Sequence, residues 1–532
     1  MTGNLLTEAI ISVFTTDGTS VRLTLPGVLA ALQRDEVGSF AAVQPHQAHP
    51  WHAFLVQLGA MALEGEELPL ATPGRADLPG PDTEAAWAAR LRRLTPDHPD
   101  DAPWTLAVDD LAKPAFLQPP VPEDTWGKTT KIDYFPDDLD ILISTKNHQI
   151  KSGKASKATL EHWMFALLSL QTMAGYSGPT WNGISKMFTG TGARPGVHIL
   201  SRSTLGGQWA RDVRIVLDNP DNFRKHGLPF DPVHGLKLLW VAPWDGKKSL
   251  ELRELHPLFI EICRRIRLHH NAYGTLSSKS IGTEQVLRIQ AKEQNGDMAD
   301  PWTPVLKSNH SAFNRTPGYR AVQAVLFPAD TNKEQYAPAL LQMRHPPDEG
   351  HDLAVRFRIL IRGQGKTEGF HERTIPIPKA AEVFAFGPRT PDAARLCQAM
   401  VELASTAQNK VLKPALLRFM QAARERIEFK QPETAAWAET WTRRLDQEVD
   451  LHFFPTLWEC LPLLKEGEDA VVQAPWRERL RTLAMTVFTE ATQALPVPLT
   501  MRPRAVALAE EQFQRAVREH LAPKRIKEDV RS

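Results

Sequence analysis

Lysine, arginine and glycine are concentrated in two stretches that flank one hydrophobic segment. Residues 146–157 contain four lysines, and residues 175–195 contain five glycines together with Lys186 and Arg194. Neither stretch contains a carboxylate, and accessible backbone amides beside basic side chains suit the phosphate backbone of a nucleic acid. Ordinary solvated loops have a similar composition, so both interpretations stay open at this point.

Two further polar segments could reach into a nucleic-acid groove. Residues 362–369 follow an alternating run and contain Gln364, Lys366 and Thr367, whose side chains can form hydrogen bonds with base edges. Residues 291–296 contain one lysine and end in Asn-Gly, which predicts a turn. A plain hairpin tip and a plain turn are the structural alternatives.

Candidates for catalytic chemistry are few. Asp137, Asp138 and Asp140 could hold a metal ion, although a solvated acidic turn accounts for them equally simply. The run 269–271, His-His-Asn, has three letters in common with metal nucleases of the HNH type, which is too little to define a site. Phosphate-binding, serine-hydrolase and zinc-protease motifs are missing from the sequence, so the residues favour a binding protein over an enzyme.

Composition is typical of a globular protein with more than one domain. The 532 residues include 63 Lys and Arg against 62 Asp and Glu, so any basic track must be local. Three separated cysteines predict neither a disulfide framework nor a zinc pair and fit a reducing compartment. We expect no signal peptide and no membrane span, and therefore a cytoplasmic protein without a metal or cofactor.

The periodicity of apolar residues predicts an α+β fold in two parts. We expect a large mixed α/β domain over residues 1–378 and a C-terminal helical bundle of the four-helix type over residues 379–532. In the first part the pattern predicts a buried helix over 160–174 and strands over 318–378. In the second part helices are predicted over residues 391–408, 412–427, 432–450, 455–465, 476–493 and 503–521.

Several short motifs follow one another in a specific order between about residues 110 and 460. They are Pro114 to Gln118, Asn147 to Gln149, Gly175 to Pro195, Ala291 to Gly296, Asp300 to Pro304, Arg362 to Arg373, Arg443 to Asp446, and His452 to Pro455. In this order the chain resembles the CasA family, the large subunits of type I-E CRISPR Cascade complexes. The resemblance also implies a mixed α/β domain followed by a four-helix bundle.

The resemblance implies a binding function without catalysis. Family members recognise the short protospacer-adjacent motif of double-stranded target DNA, mainly from the minor groove, and help to open the duplex into an R-loop. They also recruit the helicase–nuclease that degrades the target. The implied partners are the other Cascade subunits, the guide CRISPR RNA, double-stranded target DNA and the helicase–nuclease effector.

Motif-binding residues are also implied by the resemblance. The family's glycine loop at the minor groove matches Gly175, Tyr176, Ser177 and Gly178, and its groove lysine falls near Lys292. Lys186 and Arg194 are expected as further nucleic-acid contacts. The family's strand-splitting glutamine aligns with Thr367, after Lys366, while Gln364 comes three residues earlier. Either Gln364 acts as the wedge or the chemistry of strand separation differs.

A docking role is implied for the lysine-rich stretch. It matches the family loop that anchors the subunit on the 5′ end of the guide RNA and on a neighbouring subunit. The matching residues are Asn147, His148, Gln149, Lys151 and Lys154. Two alternatives remain: a scaffold whose basic loops touch only protein, and a stand-alone metal-dependent nuclease using Asp137, Asp138 or His269.

Overall fold

A computed structural model gives the architecture of most of the chain. The residues that it describes are 2–122, 130–142, 158–178, 180–188, 190–283, 286–328, 334–363, 366–464 and 472–522. They form two compact units, and the α+β class is as predicted. The mixed unit consists of residues 1–317 and 334–376, and the helical unit consists of residues 318–333 and 377–532.

Short strands are distributed along the mixed unit. In chain order the strands are β1 (Ile11–Thr15), β2 (Ser20–Leu23), β3 (Val37–Phe40), β4 (Thr130–Asp133), β5 (Gly196–Leu200), β6 (Leu236–Leu238), β7 (Leu255–Ile260), β8 (Arg265–His270), β9 (Leu276–Ile281), β10 (Val305–Leu306), β11 (Tyr336–Ala337), β12 (Leu353–Gly363) and β13 (Lys366–Ile377). They pair into small sheets ordered β2-β1-β3, β13-β12-β5, β4-β9-β8, β10-β11 and β6-β7.

Helices occur in both units. Those of the mixed unit are α1 (Leu25–Gln33), α2 (Ala48–Leu63), α3 (Glu84–Arg93), α4 (Leu160–Met173) and α5 (Leu205–Asp218). Those of the helical unit are α6 (Tyr319–Leu326), α7 (Glu382–Ala385), α8 (Thr390–Thr406), α9 (Lys413–Met420), α10 (Pro432–Cys460), α11 (Ala474–Ala494) and α12 (Arg502–His520).

Local sequence explains where several of these helices begin. Thr24 lies just before α1, and its hydroxyl accepts a hydrogen bond from the Gly27 amide at 3.0 Å. Thr204 does the same before α5, accepting from the Gly207 amide at 3.3 Å. Threonine is a good residue at this position because its oxygen satisfies an amide that has no partner within the helix.

Helices α2 and α4 contribute many of the buried residues of the mixed unit. Trp51 of α2 stacks on Phe54 and meets the edge of Phe165 of α4 at a ring distance of 5.2 Å. Nearly every residue of α4 is buried, as its continuous apolar sequence predicts. The end of α4 is therefore a fixed point from which the following glycine-rich segment starts.

Packing overrides two boundaries that the sequence suggests in the helical unit. The helices predicted over 432–450 and 455–465 are one helix, α10, with Pro455 inside it. A proline in a helix interior costs roughly 3 kcal/mol. Phe453, Phe454 and Leu457 are buried around this position and hold the helix against the core.

A second correction concerns the strands predicted over residues 318–378. Residues Tyr319–Leu326 form helix α6, which belongs to the helical unit. Tyr319 and Val322 of this helix are buried, and the Tyr319 hydroxyl donates a hydrogen bond to the Asp446 carboxylate at 2.9 Å. The helical unit is thus built from two separate pieces of the chain.

Among the residues that the structure describes, no helix is both long enough and apolar enough to cross a membrane.

Candidate nucleic-acid interface

The glycine loop, residues 174–194, connects the end of α4 to the start of β5. Backbone hydrogen bonds close this loop on itself. The Tyr176 amide donates to the Gly190 carbonyl at 2.8 Å, and the Ile184 amide donates to the Ala174 carbonyl at 2.9 Å. The segment is therefore folded, and its shape is set by its own backbone.

Close backbone packing explains why glycine recurs in this loop. A Cβ atom on Gly175 would overlap the carbonyl oxygens of Gly190 and Gly192. A Cβ atom on Gly183 would overlap the backbone of Gly175. These glycines are thus required inside the loop, where any side chain would push its strands apart.

Gly178 differs from them because it lies at the accessible turn of the loop. The turn is closed by the Trp181 amide, which donates to the Gly178 carbonyl at 3.0 Å, and by the Ser177 amide, which donates to the Trp181 carbonyl at 3.1 Å. Gly178 has φ +137°, and in the described part of the chain no atom outside its chain neighbours lies within 4 Å of a Cβ built there. Tyr176 and Ser177 beside it are exposed. This turn can therefore approach another molecule through its backbone.

Lys186 and Arg194 occupy a different environment from the one predicted. The sequence assigns them to nucleic-acid contact, yet their side chains are buried, with 5% and 3% of each residue exposed. Asp300 lies between them: its Oδ2 is 2.6 Å from the Arg194 Nε and 3.7 Å from the Lys186 Nζ. The expectation that no acid neutralises them is wrong, because the acid comes from a segment more than one hundred residues away in sequence.

Aromatic rings complete the surroundings of these two cations. The Lys186 ammonium lies 4.6 Å from the centre of the Phe259 ring, and the Arg194 guanidinium lies 4.9 Å from the Trp302 ring. A cation that has lost its water is stabilised by such a ring face. In this conformation neither side chain reaches a phosphate, so their effect on the surface is indirect.

Lys186, Arg194, Asp300 and Glu261 form a buried charge cluster. Burial has the largest effect on the pKa values of Lys186, Asp300 and Glu261. Burial lowers the pKa of Lys186 to about 8, and repulsion from Arg194 acts in the same direction, against the attraction of Asp300 and Glu261. Burial alone would raise the pKa of Asp300, but Arg194 and Lys186 together hold that pKa below its usual value. Burial raises the pKa of Glu261, which accepts hydrogen bonds from the amide and hydroxyl of Ser185 at 2.6 and 2.8 Å.

Two buried histidines lie next to the cluster. The rings of His49 and Trp302 are 6.1 Å apart, and His198 lies near His52 with a ring distance of 5.8 Å. Burial, followed by repulsion from Arg194, lowers the pKa of His49 well below its usual value. Burial also lowers the pKa of His198 strongly.

The lysine turn, residues 291–296, contacts the glycine loop directly. Lys292 is exposed, and its carbonyl accepts a hydrogen bond from the Asn295 amide at 3.4 Å. Gly296 has φ +107°, and a Cβ built there would lie 3.2 Å from the Lys186 carbonyl oxygen. The turn predicted from Asn-Gly is thus present, and it places Lys292 at the surface beside the loop.

The end of the β12–β13 hairpin also meets the glycine loop. The Thr191 hydroxyl donates to the Arg362 carbonyl at 2.7 Å, and the Ala193 amide donates to the Leu360 carbonyl at 3.1 Å. Gln364 lies outside the described residues. The backbones of Lys366 and Thr367 begin β13, and their side chains are outside the described part. The lysine turn and the end of β12 therefore each contact the glycine loop.

Residues predicted to dock on the guide RNA or a neighbouring subunit fall in one gap. The segment 143–157 is outside the described residues, and it contains all of them. They are Asn147, His148, Gln149, Lys151 and Lys154.

Two of the residues considered for metal chemistry, Asp140 and His269, have protein partners. The Asp140 carboxylate is buried against His46 at 2.8 Å and accepts a hydrogen bond from the Gln47 amide group at 2.8 Å. His269 forms a hydrogen bond with the Ser277 hydroxyl at 3.0 Å. Within the described part of the chain, no three His, Cys, Asp or Glu side chains form a group able to hold a metal ion.

Sequence reasoning did not identify the buried carboxylates that lie near Lys186. Asp300 and Glu261 lie in separate segments, and their pairing with Lys186 depends on the tertiary fold. One signal was available for Asp300, since it lies in the same motif as Trp302, and both contact Arg194. For Glu261 we find no signal in the sequence.

Comparison with known proteins places the chain in a family. The family model described as CRISPR-associated protein Cse1 matches residues 4–487. No curated protein sequence matches the chain significantly. Solved structures of similar fold include Thermus thermophilus CasA (Cse1), 16% identical, with 97% of this chain and 99% of that chain covered and a TM-score of 0.62.

Other solved structures agree with this match. Cse1 from Acidimicrobium ferrooxidans is 14% identical, with 98% of each chain covered and a TM-score of 0.64. A chain of a CRISPR RNA-guided surveillance complex is 15% identical, with 96% of this chain and 99% of that chain covered and a TM-score of 0.55. At such identities the structures establish the fold, while the family model covers most of the sequence. The chain therefore belongs to the Cse1 (CasA) family, the large subunits of type I-E Cascade.

Proposed function

We propose that this chain recognises the protospacer-adjacent motif of double-stranded target DNA as a non-catalytic subunit of an RNA-guided complex. The observation that carries the proposal is the contact of two other predicted segments with the glycine loop. The turn at Gly178, the lysine turn and the end of the β12–β13 hairpin are joined by direct contacts through the glycine loop. Their sequences are those that resemble the DNA-contacting motifs of the CasA family.

The chemistry of the turn suits a minor groove. That groove is about 6 Å wide and offers few distinguishing groups, so a reader must come close to the base edges. Gly178 has no side chain, and the space beside it is open. Lys292 can add a flexible cation whose amine donates to the acceptors on the groove floor. Backbone close to the bases together with one lysine favours a short and tolerant motif.

Opening of the duplex would follow at the β12–β13 hairpin. Separating the first base pair beyond a motif costs a few kcal/mol, which an inserted side chain and new backbone contacts can offset. Gln364 and Thr367 are the two candidates for this wedge, with Lys366 available for a phosphate. Once pairs separate, the guide RNA can begin to pair with the target strand.

Partners follow from the same proposal. A structure of similar fold is part of a CRISPR RNA-guided surveillance complex. By analogy this chain would assemble with other Cascade subunits and the guide RNA through Asn147, His148, Gln149, Lys151 and Lys154. Recruitment of the helicase–nuclease, and a cytoplasmic location, belong to the proposal as well.

The test is target selection by the assembled complex, with and without this chain. Duplexes carry a randomised motif beside a guide-matched sequence, and bound duplexes are sequenced. We expect enrichment of a short motif only when the chain is present. Gly178→Leu should reduce that enrichment, because the added side chain blocks close approach of the backbone.

The matched control is Gly18→Leu, in the turn between β1 and β2. Like Gly178, Gly18 has a positive φ, and the space beside it is open. The melting temperatures of both variants are measured, because backbone strain lowers the melting temperature whereas lost recognition lowers only the enrichment. Enrichment that is independent of the chain would overturn the proposal. So would equal enrichment by Gly178→Leu and wild type.

A scaffold role is the alternative that remains worth testing, because the docking residues are identified by resemblance alone. The double variant Lys151→Glu, Lys154→Glu reverses two charges in that loop. Loss of affinity for the guide RNA or for target DNA supports nucleic-acid contact. Unchanged affinity for both would support a scaffold that touches only protein.

A further inference from the structure

The glycine loop and the lysine turn share one buried carboxylate. Asp300 follows the lysine turn by four residues, and its two partners, Lys186 and Arg194, both belong to the glycine loop. Lys186 lies in the short helical turn at residues 185–187, while Arg194 lies where the loop ends. One carboxylate thus connects the middle and the end of the loop to the segment that carries Lys292.

Neighbouring contacts show that Asp300 itself is held firmly. Its Oδ1 accepts a hydrogen bond from the Trp302 amide at 3.0 Å. The Trp302 carbonyl in turn accepts from the Val197 amide at 2.9 Å, and the Thr303 hydroxyl donates to the Pro195 carbonyl at 3.1 Å. The segment after the lysine turn is therefore anchored along the start of β5, and Asp300 projects from a fixed backbone.

Position of the two cations depends on this carboxylate more than on their own side-chain preferences. Lysine and arginine are almost never fully buried unless they are paired. Removing one partner of a buried pair leaves the other charge without compensation, and the remaining group then moves toward water. Movement of Lys186 or Arg194 would shift the backbone of the glycine loop, since the loop leaves no space between its chain segments.

We infer that Asp300 is a positioning residue for motif recognition. It fixes the position of the turn at Gly178 relative to Lys292. Asp300 does not touch DNA. It acts by keeping Lys186 and Arg194 inside the protein, so that the two exposed segments approach the groove as one body. This inference rests on the proposed function, because it assigns a cause to the selectivity that the function requires.

The experiment uses the assembled complex carrying Asp300→Asn. Three quantities are measured: affinity for a duplex with the motif, affinity for the same duplex without it, and affinity for a target whose strands are already separated. We expect the ratio of the first two to fall about tenfold, equivalent to about 1.4 kcal/mol. Affinity for the pre-opened target should stay at the wild-type value, because it does not require motif reading.

Asp348→Asn is the matched control. Asp348 is also buried and paired with an arginine, Arg211, at 2.8 Å, and among the described residues its hydrogen bonds and ion pairs are with neither the glycine loop nor the lysine turn. Loss of stability alone would affect both variants, whereas lost positioning affects only Asp300→Asn. An unchanged motif ratio in Asp300→Asn would overturn the inference while leaving the proposed function intact. A wild-type complex without motif preference would overturn both.

A second variant covers the case in which Asp300→Asn does not fold. Lys186→Met removes the more distant cation and keeps the pair between Arg194 and Asp300, so a folded protein is expected. Hydrogen exchange on the full chain then follows the amides of Tyr176 and Ile184, which are bonded within the loop. Faster exchange there, with a several-fold loss in the motif ratio, supports the inference. Unchanged exchange and an unchanged ratio would contradict it.

Discussion

The mixed unit and the helical unit differ in how they build their interiors. Among the described residues, the side chains that are both buried and charged all belong to the mixed unit, including Lys186, Arg211, Glu261 and Asp300. The interior of the helical unit is mainly apolar and aromatic, with a few neutral polar side chains such as Gln421, and the rings of Phe453 and Trp476 are 5.6 Å apart. Helices satisfy their own backbone groups, whereas irregular segments need partners from elsewhere.

The two units therefore differ in which interactions determine their structure. The glycine loop is closed by its own backbone hydrogen bonds, and the ion pairs of Lys186 and Arg194 with Asp300 connect it to the protein interior. The helical unit depends on the volume of its side chains and tolerates changes of surface charge.

The largest expected effect is on the buried ion network around Arg211. Arg211 pairs with Asp212 and Asp348, and all three side chains are fully buried. Asp348→Asn leaves a guanidinium partly uncompensated and should lower the free energy of unfolding by about 3–5 kcal/mol. Urea unfolding followed by circular dichroism measures it. Asp100→Asn, which breaks an exposed pair with Lys113, should change that free energy by less than about 1 kcal/mol.

Next in size is the response to acid. Unfolded histidine takes up a proton below a pH of about 6.5. Folded His49 and His198 resist protonation, because burial lowers the pKa of each well below that value. Protons thus favour the unfolded state, and stability should fall as the pH drops below about 6.5, by up to about 1.4 kcal/mol per pH unit for each histidine.

The measurement is urea unfolding at pH 7.0, 6.0 and 5.0. His49→Leu should make the free energy of unfolding less dependent on pH over this range. His234→Gln changes an exposed histidine and should leave the dependence as in wild type. A pH dependence that is equal in wild type and His49→Leu would show that His49 becomes protonated in the folded protein.

A smaller effect is expected at the surface that the buried charges support. Lys292→Ala should weaken binding of the complex to a motif-bearing duplex by about tenfold, the size of one good base contact. Binding to a pre-opened target should not change. Lys247→Ala serves as the control, since Lys247 is also exposed but lies outside the glycine loop, the lysine turn and the β12–β13 hairpin. Equal effects of the two variants would indicate general electrostatic attraction in place of a groove contact.

The smallest effect is predicted in the helical unit. Arg444 pairs with Glu448 at 2.6 Å on the surface of α10, and both side chains are partly exposed. Arg444→Ala should change the free energy of unfolding by no more than about 0.5 kcal/mol. A loss of several kcal/mol would show that surface charge supports this unit as well, and the contrast between the two units would fail.

Much of the fold was predictable because the spacing of apolar residues indicates which face of a helix or strand is buried. Helix α4 and the hairpin of β1 and β2 follow directly from their apolar patterns. The continuity of α10 through Pro455 was not predictable, since packing around Phe453 and Phe454 outweighs the local cost of proline. Helix α6 was missed because its few apolar residues fit a strand or a helix equally well, and contacts in the helical unit decide between them.

For the candidate site, sequence predicted its segments better than their environment. The turns at Gly178 and at residues 291–296 agree with what the glycines and the Asn-Gly pair predict. The burial of Lys186 and Arg194 does not, because charge alone cannot tell a surface lysine from one that is paired in the interior. That distinction depends on Asp300, which only the tertiary structure brings into contact.

Photo-crosslinking from the glycine loop to target DNA tests the central claim most directly. A photoreactive phenylalanine analogue replaces Tyr176, which is 36% exposed beside the turn at Gly178, and the assembled complex is irradiated with a guide-matched duplex. We expect crosslinks at the base pairs of the motif. The same analogue at Tyr273, 91% exposed in the turn between β8 and β9, should give none there. Crosslinks from Tyr273 at the motif, with none from position 176, would contradict the account.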